Sequence, residues 1–210
     1  MTRIVCISDT HHRHKKVQVP DGDVLIHAGD ITGRGTLQDI EDFARWIRKL
    51  PHATKLAIAG NHDWPLYNDS KAARNALGDS CTYLEDSGVV ANNLKFYGMP
   101  WSPRFGNWAF YYERGSKEIL DKCNQIPFDT DVLITHGPPY GILDLTFQQI
   151  YAGCQTIRNR IYSLQNLKLH VFGHIHEGYS QEIHDGIRYV NASICTLGYQ
   201  PTNKPIVVEI

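Results

Sequence analysis

Short apolar runs recur along the chain, and each gives way abruptly to polar residues. Ile4-Val5-Cys6-Ile7 precedes Asp9-Thr10-His11, Val24-Leu25-Ile26 precedes Gly29-Asp30, and Leu56-Ala57-Ile58-Ala59 precedes Gly60-Asn61-His62-Asp63. Val132-Leu133-Ile134 precedes Thr135-His136-Gly137, and Leu169-His170-Val171-Phe172 precedes Gly173-His174-Ile175-His176. Runs of this length and β-branched content predict buried strands. A different period lies between the second run and the third. Leu37, Ile40, Phe43, Ala44, Ile47 and Leu50 recur at helical spacing, with a capping-box-like Thr36 and Asp39 before them and Pro51 closing the segment. Strand, helix, strand is the α/β order, which gathers loops at strand C-termini. Further helices are predicted over 70–77, 116–124 and 155–164. Segments 82–84, 89–91, 94–97, 187–192 and 206–210 read as short strands, with turns at Asn92-Asn93 and Asp185-Gly186. No repeat, low-complexity tract or composition break divides the chain, so residues 1–210 read as one α/β domain.

The stretch from Met99 to Tyr112 follows neither period. It carries Trp101, Phe105, Trp108, Phe110, Tyr111 and Tyr112, interrupted by Pro100, Pro103 and Gly106. Two readings stand: an aromatic wall that stacks a flat ligand group, with Trp101 and Trp108 as its candidates, or aromatics that pack a long loop onto the core. Pro138-Pro139 stiffens the loop after His136, and residues 141–145 are expected to edge a substrate cleft.

Composition narrows the field. A formal net charge of −1 and no basic stripe argue against an electrostatic grip on nucleic acid or on a membrane surface. The short Arg13-His14-Lys15-Lys16 run reads as a solvated loop. The five cysteines, Cys6, Cys81, Cys123, Cys154 and Cys195, form no C-x-x-C pair and read as reduced thiols, which points to the cytoplasm. The first strand begins almost at the N-terminus, where a signal peptide would need a charged and then an apolar region. No run approaches the roughly 20 apolar residues that span a bilayer.

The polar ends of the strands carry the chemistry. Asp9 and His11 stand two residues apart, as do His174 and His176, so each pair can face one way from an extended segment. With Asp30, Asn61 and His136 they make a set of carboxylate, amide and imidazole donors suited to divalent ions, and Asp30 is the natural bridge. No cysteine lies among them, which disfavours a thiolate zinc site. His12 and His14 either line the mouth of such a site or belong to the solvated loop. His27 is expected to pack beside it, and His52, His170 and His184 to be structural or surface residues.

In this order the motifs D-x-H, G-D, G-N-H-D, H-G and G-H-x-H resemble the calcineurin-like metallophosphoesterase superfamily. Asp23 to Asp30, Thr135 to Pro139, Phe172 to Tyr179 and Tyr189 to Ser193 are similar to its metallophosphoesterase-domain-containing subgroup, the 239 family. The resemblance implies a four-layer αββα sandwich, two mixed sheets flanked by helices. It also implies two metal ions, one held by Asp9, His11, Asp30 and His176 and the other by Asp30, Asn61, His136 and His174. His62 would face the phosphate and its leaving group as the catalytic residue, with His12, Trp101 and Trp108 as candidate substrate contacts. The implied reaction is phosphodiester hydrolysis by a metal-activated hydroxide, with small phosphodiesters such as cyclic nucleotides as substrates. The donors suit manganese in vitro, and iron, zinc, cobalt or nickel equally by type. Phosphomonoesterase or nuclease activity, or a non-catalytic nucleotide- or metal-binding scaffold, are the alternatives on the same fold. One position departs from the protein-phosphatase branch, where an acidic residue three places after the bridging aspartate orients the histidine. Here it is Gly33, and Asp63, next to His62, points its side chain the other way in an extended segment. Arg34 is open to two readings, a phosphate contact or a solvated arginine.

Overall fold

The computed structural model describes residues 1–210. Along the chain run β1 (Arg3–Ile7), β2 (Val24–Ala28), α1 (Leu37–Arg48), β3 (Thr54–Ile58), α2 (Trp64–Asn68), α3 (Ser70–Leu77) and β4 (Thr82–Tyr83). Then come β5 (Ser87–Ala91), β6 (Leu94–Met99), β7 (Ser102–Pro103), β8 (Tyr111–Tyr112), α4 (Lys117–Asn124) and β9 (Val132–Thr135). The last elements are α5 (Gln155–Ile161), β10 (Leu169–Phe172), β11 (Ser180–His184), β12 (Ile187–Asn191) and β13 (Ile206–Glu209). One sheet has the order β13-β1-β2-β3-β4 and the other β11-β12-β10-β9-β6-β5. β1 to β4 are parallel and β13 is antiparallel at the edge; in the second sheet β12, β10, β9 and β6 are parallel, with β11 and β5 as antiparallel edges.

Side-chain alternation builds the layers. Ile4, Cys6, Val24, Ile26, Leu56 and Ile58 of the first sheet meet Phe96, Val132, Ile134, Leu169, Val171 and Val190 of the second in a buried core. Val5, Ile7 and Leu25 face the other way, onto Ile40, Phe43, Ala44 and Ile47 of α1 and Ala73 and Leu77 of α3. Tyr97, Met99, Leu133 and Phe172 face out onto Ile119 and Cys123 of α4 and Ile157 and Ile161 of α5. The result is an αββα sandwich. Each fully buried Ile, Leu or Val contributes about 1.5–3 kcal/mol, and a one-residue slip would turn every one of them to the wrong face.

α1 starts as its sequence implies: the Asp39 carboxylate accepts from the Thr36 amide at 2.6 Å and from its hydroxyl at 3.0 Å. Two elements carry no clear signal in the sequence. β11 is an edge strand, Ser-Gln-Glu-Ile-His, whose exposed positions are mostly polar. α2 is five residues long and begins Trp64-Pro65. The helix expected over 155–164 stops at Ile161, and part of the aromatic stretch folds into the small β7–β8 pair. All five cysteines are free thiols, and no helix is long and apolar enough to cross a membrane.

The two sheets are joined at the C-terminal ends of their parallel strands. Beyond β1, the Ser8 amide donates to Ala192 O and the Ile194 amide to Ser8 O, both at 2.9 Å. Loops from both sheets therefore open at one seam.

Candidate metal centre

At that seam the loops after β1, β2, β3, β9 and β10 meet. Asp9, His11, Asp30 and His174 adopt positive φ, at 51°, 42°, 54° and 68°. Non-glycine residues reach this region at a cost, and such strain concentrates where geometry serves a site. Gly29 has φ +98°, and a Cβ there would sit 2.6 Å from His136 Nδ1 and 2.7 Å from Ala59 O. A Cβ on Gly173 would run into the Asp9 carboxylate. Both glycines let backbone and ligand-type side chains approach closely.

The seven candidate donors come together in two groups. Asp9, His11 and His176 form one and Asp30, His136 and His174 the other, each with donor atoms within 4.8 Å of one another. His11 also lies 3.7 Å from Asp30 Oδ2, which places Asp30 between the groups. Asn61 joins the second group, its Oδ1 2.9 Å from His136 Nε2. His176 Nε2 is 3.3 Å from Asp9 Oδ1 and 3.2 Å from His11 Nε2. His62 reaches the same cluster, with a ring nitrogen grouped with His11 and Asp30, and its backbone amide donates to Asp30 Oδ1 at 2.8 Å.

The histidine tautomers are set from behind. The Nδ1 of His11, His136 and His176 lies 3.3, 3.0 and 3.0 Å from the carbonyl oxygens of Thr32, Ala28 and Thr196. A carbonyl only accepts, so each Nδ1 carries the hydrogen and each Nε2 turns its other valence to the centre. Burial pushes the His11 imidazole down to about 4 and the His174 imidazole down to about 3, so both are neutral donors at neutral pH. Burial opposes charge on Asp9 too, yet the hydrogen bond and charge of His176 hold that carboxyl well below its usual range. For His136 burial acts downward, but the Asp30 carboxylate prevails and takes it up to about 9, leaving a proton that a cation displaces. Converging nitrogens with ionised carboxylates between them fit divalent ions, and the donor types fit first-row metals.

Outer contacts fix these donors. Asp9 accepts from the His174 amide at 3.0 Å, and Ser193 Oγ lies 3.0 Å from Asp9 Oδ2. The Asn191 amide group donates to Ile175 O at 2.8 Å and to Leu143 O at 3.2 Å, which holds the loop between His174 and His176. Asp63 is fully buried and accepts from the backbone amides of Gly60, Thr32 and Ile31 at 2.8, 2.8 and 3.1 Å. It ties the Asp30 loop to the Asn61 loop and makes no hydrogen bond to the His62 ring. Burial, with the Asp30 charge, pushes its carboxyl up to about 7 against the pull of those amides.

The centre opens into a cleft of about 310 Å³, lined by Asp30, Asn61, His62, His174 and His176 at its base and by Phe105, Trp108, Arg104, Arg114, Phe147, Leu197 and Tyr199 on its walls. Of the three expected substrate contacts, Trp101 and His12 lie outside the cleft and Trp108 lines it. Trp101 lies outside the cleft: its indole N–H reaches both Asp86 carboxylate oxygens at 3.0 Å, and Lys122 sits 4.0 Å from its ring. His12 turns away too, with Nδ1 3.2 Å from Asp39 Oδ1. Trp108 lines the cleft, but its ring stacks on His62, with centroids 4.1 Å apart and planes at 27°. The cleft edge is formed by Thr146, Phe147, Gln148 and Ala152, just beyond the expected 141–145.

The remaining histidines stay structural. His14 is buried, 3.3 Å from Asp42; His27 bonds Thr10 Oγ1 at 2.9 Å; His52 reaches Pro20 O at 3.1 Å; His170 bonds Thr135 Oγ1 at 2.8 Å. His184 is exposed beside Glu182 at 2.9 Å. Arg34 lies 5.0 Å from the Trp108 ring centre and does not line the cleft. Tyr199 gives no hint in the sequence, being a lone tyrosine in a late loop, yet its ring packs on His11 at 4.8 Å and on His176 at 5.7 Å.

The fold is that of the calcineurin-like metallophosphoesterases, and the chain belongs to the calcineurin-like phosphoesterase family, whose model matches residues 2–178. It is 41% identical to the human protein named metallophosphoesterase domain-containing protein 1, over all of this chain and 71% of that one. It is 37% identical to the Caenorhabditis elegans UPF0046 protein C25E10.12, over 99% of this chain and 80% of that one. The solved structure of TT1561 of Thermus thermophilus shares the fold, with a TM-score of 0.62 at 14% identity over 90% of this chain and 88% of that one.

Proposed function

We propose that this phosphoesterase uses two divalent ions to hydrolyse small phosphodiesters, cyclic nucleotides among them. The observation that carries the reading is the meeting of seven donor residues from both sheets in two groups with Asp30 between them, at the base of a cleft. In this reading Asp9, His11, Asp30 and His176 hold one ion, and Asp30, Asn61, His136 and His174 hold the other. Bound there, such ions lower the pKa of water to about 7 and neutralise charge on phosphate oxygens. The Nδ1–carbonyl contacts keep the Nε2 donors aimed before substrate arrives, so little reorganisation is needed. His62 lines the cleft beside Asp30; burial lowers its imidazole below the ordinary value while the Asp30 charge pulls the other way, and it is the protonated form that donates to the departing oxygen, a role typically worth about 10²–10⁴ in rate.

Charge on the walls favours a diester. The cleft holds two cationic side chains, and both are engaged: Arg104 pairs with Glu113 at 2.5 Å, and Arg114 donates to Gly153 O at 2.7 Å and Ala152 O at 2.6 Å. Beyond the two ions, a phosphomonoester dianion brings an extra charge that no unengaged arginine of the cleft meets, whereas a diester brings one charge and a second organic group. Phe105 and Phe147, 73% and 68% exposed, offer apolar surface to that group. A Nostoc protein named 3',5'-cyclic-nucleotide phosphodiesterase is 21% identical over 90% of this chain and supports cyclic nucleotides as first substrates to try.

The test is a panel of bis-(p-nitrophenyl) phosphate, p-nitrophenyl phosphate, 2′,3′-cAMP, 3′,5′-cAMP and single-stranded DNA, run with manganese and then with iron, zinc, cobalt or nickel. Turnover of diesters without the monoester is expected. Preference for the monoester or for DNA would replace this reading, and no turnover with any metal would favour a binding role.

A further inference from the structure

His62 lacks the polar partner that usually aims a catalytic imidazole. Its Nδ1 is buried and makes no hydrogen bond. The nearest acidic candidate in sequence, Asp63, is spent on three backbone amides, and Gly33 has no side chain to offer. What touches the ring is aromatic. Trp108 stacks on it with centroids 4.1 Å apart and planes at 27°, and His11 meets its edge at 4.6 Å and 78°. The loop that carries Trp108 is itself tied to the metal-type loop, since the Ala109 amide donates to Asn61 O at 3.1 Å. The Arg34 guanidinium lies 5.0 Å from the Trp108 ring centre and extends the contact outward.

We propose that Trp108 is the positioning residue of His62, holding the imidazole by ring stacking where a hydrogen-bonded carboxylate would otherwise hold it. The proposal rests on the role given to His62 above. A flat indole face leaves the imidazole two in-plane freedoms, rotation and slide, and the edge contact with His11 limits both. Offset stacking is a favoured aromatic geometry. A catalytic group displaced by about 1 Å loses on the order of 10²-fold in rate, so removing the indole should be felt in turnover well before it is felt in binding.

The experiment compares wild type with Trp108→Ala and Trp108→Phe, each metal-loaded, on two diesters: one with an alkyl leaving group, which needs a proton, and one with p-nitrophenolate, which scarcely does. Trp108→Ala should lower kcat on the alkyl diester by roughly 10²-fold, with KM and metal content held and with far less loss on the nitrophenyl diester. Trp108→Phe should restore most of it. In a His62→Ala background the Trp108→Ala change should add nothing. Equal loss on both leaving groups, loss that persists without His62, or retained kcat would each overturn the proposal. A second readout needs neither activity nor a Trp108 variant. In metal-free wild type, the His62 ring protons, assigned by their disappearance in His62→Ala, should be shifted upfield by the indole ring current. Unshifted His62 resonances would overturn the stacking even if the variants misfold. Should wild type cleave no phosphoester, the proposed function fails while this spectrum still decides the stack.

Discussion

His11 and His176 present their Nε2 atoms to each other at 3.2 Å, each ring backed by a carbonyl at Nδ1. Two lone pairs at that distance repel unless a positive charge lies with them. The protein has a proton to supply: burial keeps His11 at about 4, while burial of His176 is outweighed by the hydrogen bond and charge of Asp9, which hold its imidazole above the ordinary value. His136 holds another, at about 9. Metal loading at pH 7 should therefore release about one to two protons per chain. Titration calorimetry of manganese in buffers of different ionisation enthalpy measures this, and a buffer-independent heat would contradict it.

A bound ligand also stabilises the state that binds it. At a free metal concentration of 100 Kd one site adds about 2.7 kcal/mol, and for a domain of this size each kcal/mol raises Tm by about 2–4 °C. Chelation should lower the melting temperature by roughly 5–10 °C, and manganese should restore it. A melting curve indifferent to chelator would count against the site.

Replacing His62 by Ala removes a ring that the proposed function uses for proton transfer and not for holding metal. Metal content should stay at the wild-type level while kcat falls about 10²–10⁴-fold. Loss of metal along with activity would make His62 a ligand, a role its grouping with His11 and Asp30 permits sterically.

Asp63 is a structural brace, so Asp63→Asn should act on stability. One amide oxygen cannot replace a carboxylate that meets three backbone donors, and the new NH₂ faces an N–H. The expected cost is about 2 kcal/mol, or roughly 4–8 °C in Tm. An unchanged melting temperature would refute the brace.

The pH dependence of stability has a definite sign. His170 and His27 are fully buried, and burial pushes both down to about 3, against an ordinary value of 6.5. The unfolded chain therefore takes up protons that the native state refuses. Their stabilisation is complete above the unfolded pKa and is lost as pH falls from about 6.5 toward 3, by up to about 1.4 kcal/mol per pH unit for each. Urea unfolding between pH 7 and 4 should show this loss, and His170→Phe should reduce the slope by about one proton. A slope untouched by His170→Phe would mean that His170 is charged inside the fold.

The buried strands and the donors at their ends are legible because burial imposes a period and metal-type chemistry imposes residue types. β11 is not, because an edge strand with exposed faces needs no apolar alternation. Trp101 and Trp108 look alike in sequence; only tertiary packing sends one to Asp86 and the other onto His62. His12 follows the first motif closely, but a φ of 63° turns the chain and delivers it to Asp39. Asp63 escapes a reading that takes its segment as extended, because the turn there folds its carboxylate back onto the loop of Asp30. Tyr199 reaches the site from a loop far along the chain, a placement that no local pattern encodes.

The central claim is tested most directly by metal content and diester turnover measured together in wild type and Asp30→Asn. Two equivalents of metal per chain with hydrolysis of bis-(p-nitrophenyl) phosphate, both lost when Asp30 is replaced, is the predicted result. Undiminished turnover in Asp30→Asn, or a fully loaded wild type that leaves the diester intact, would contradict it.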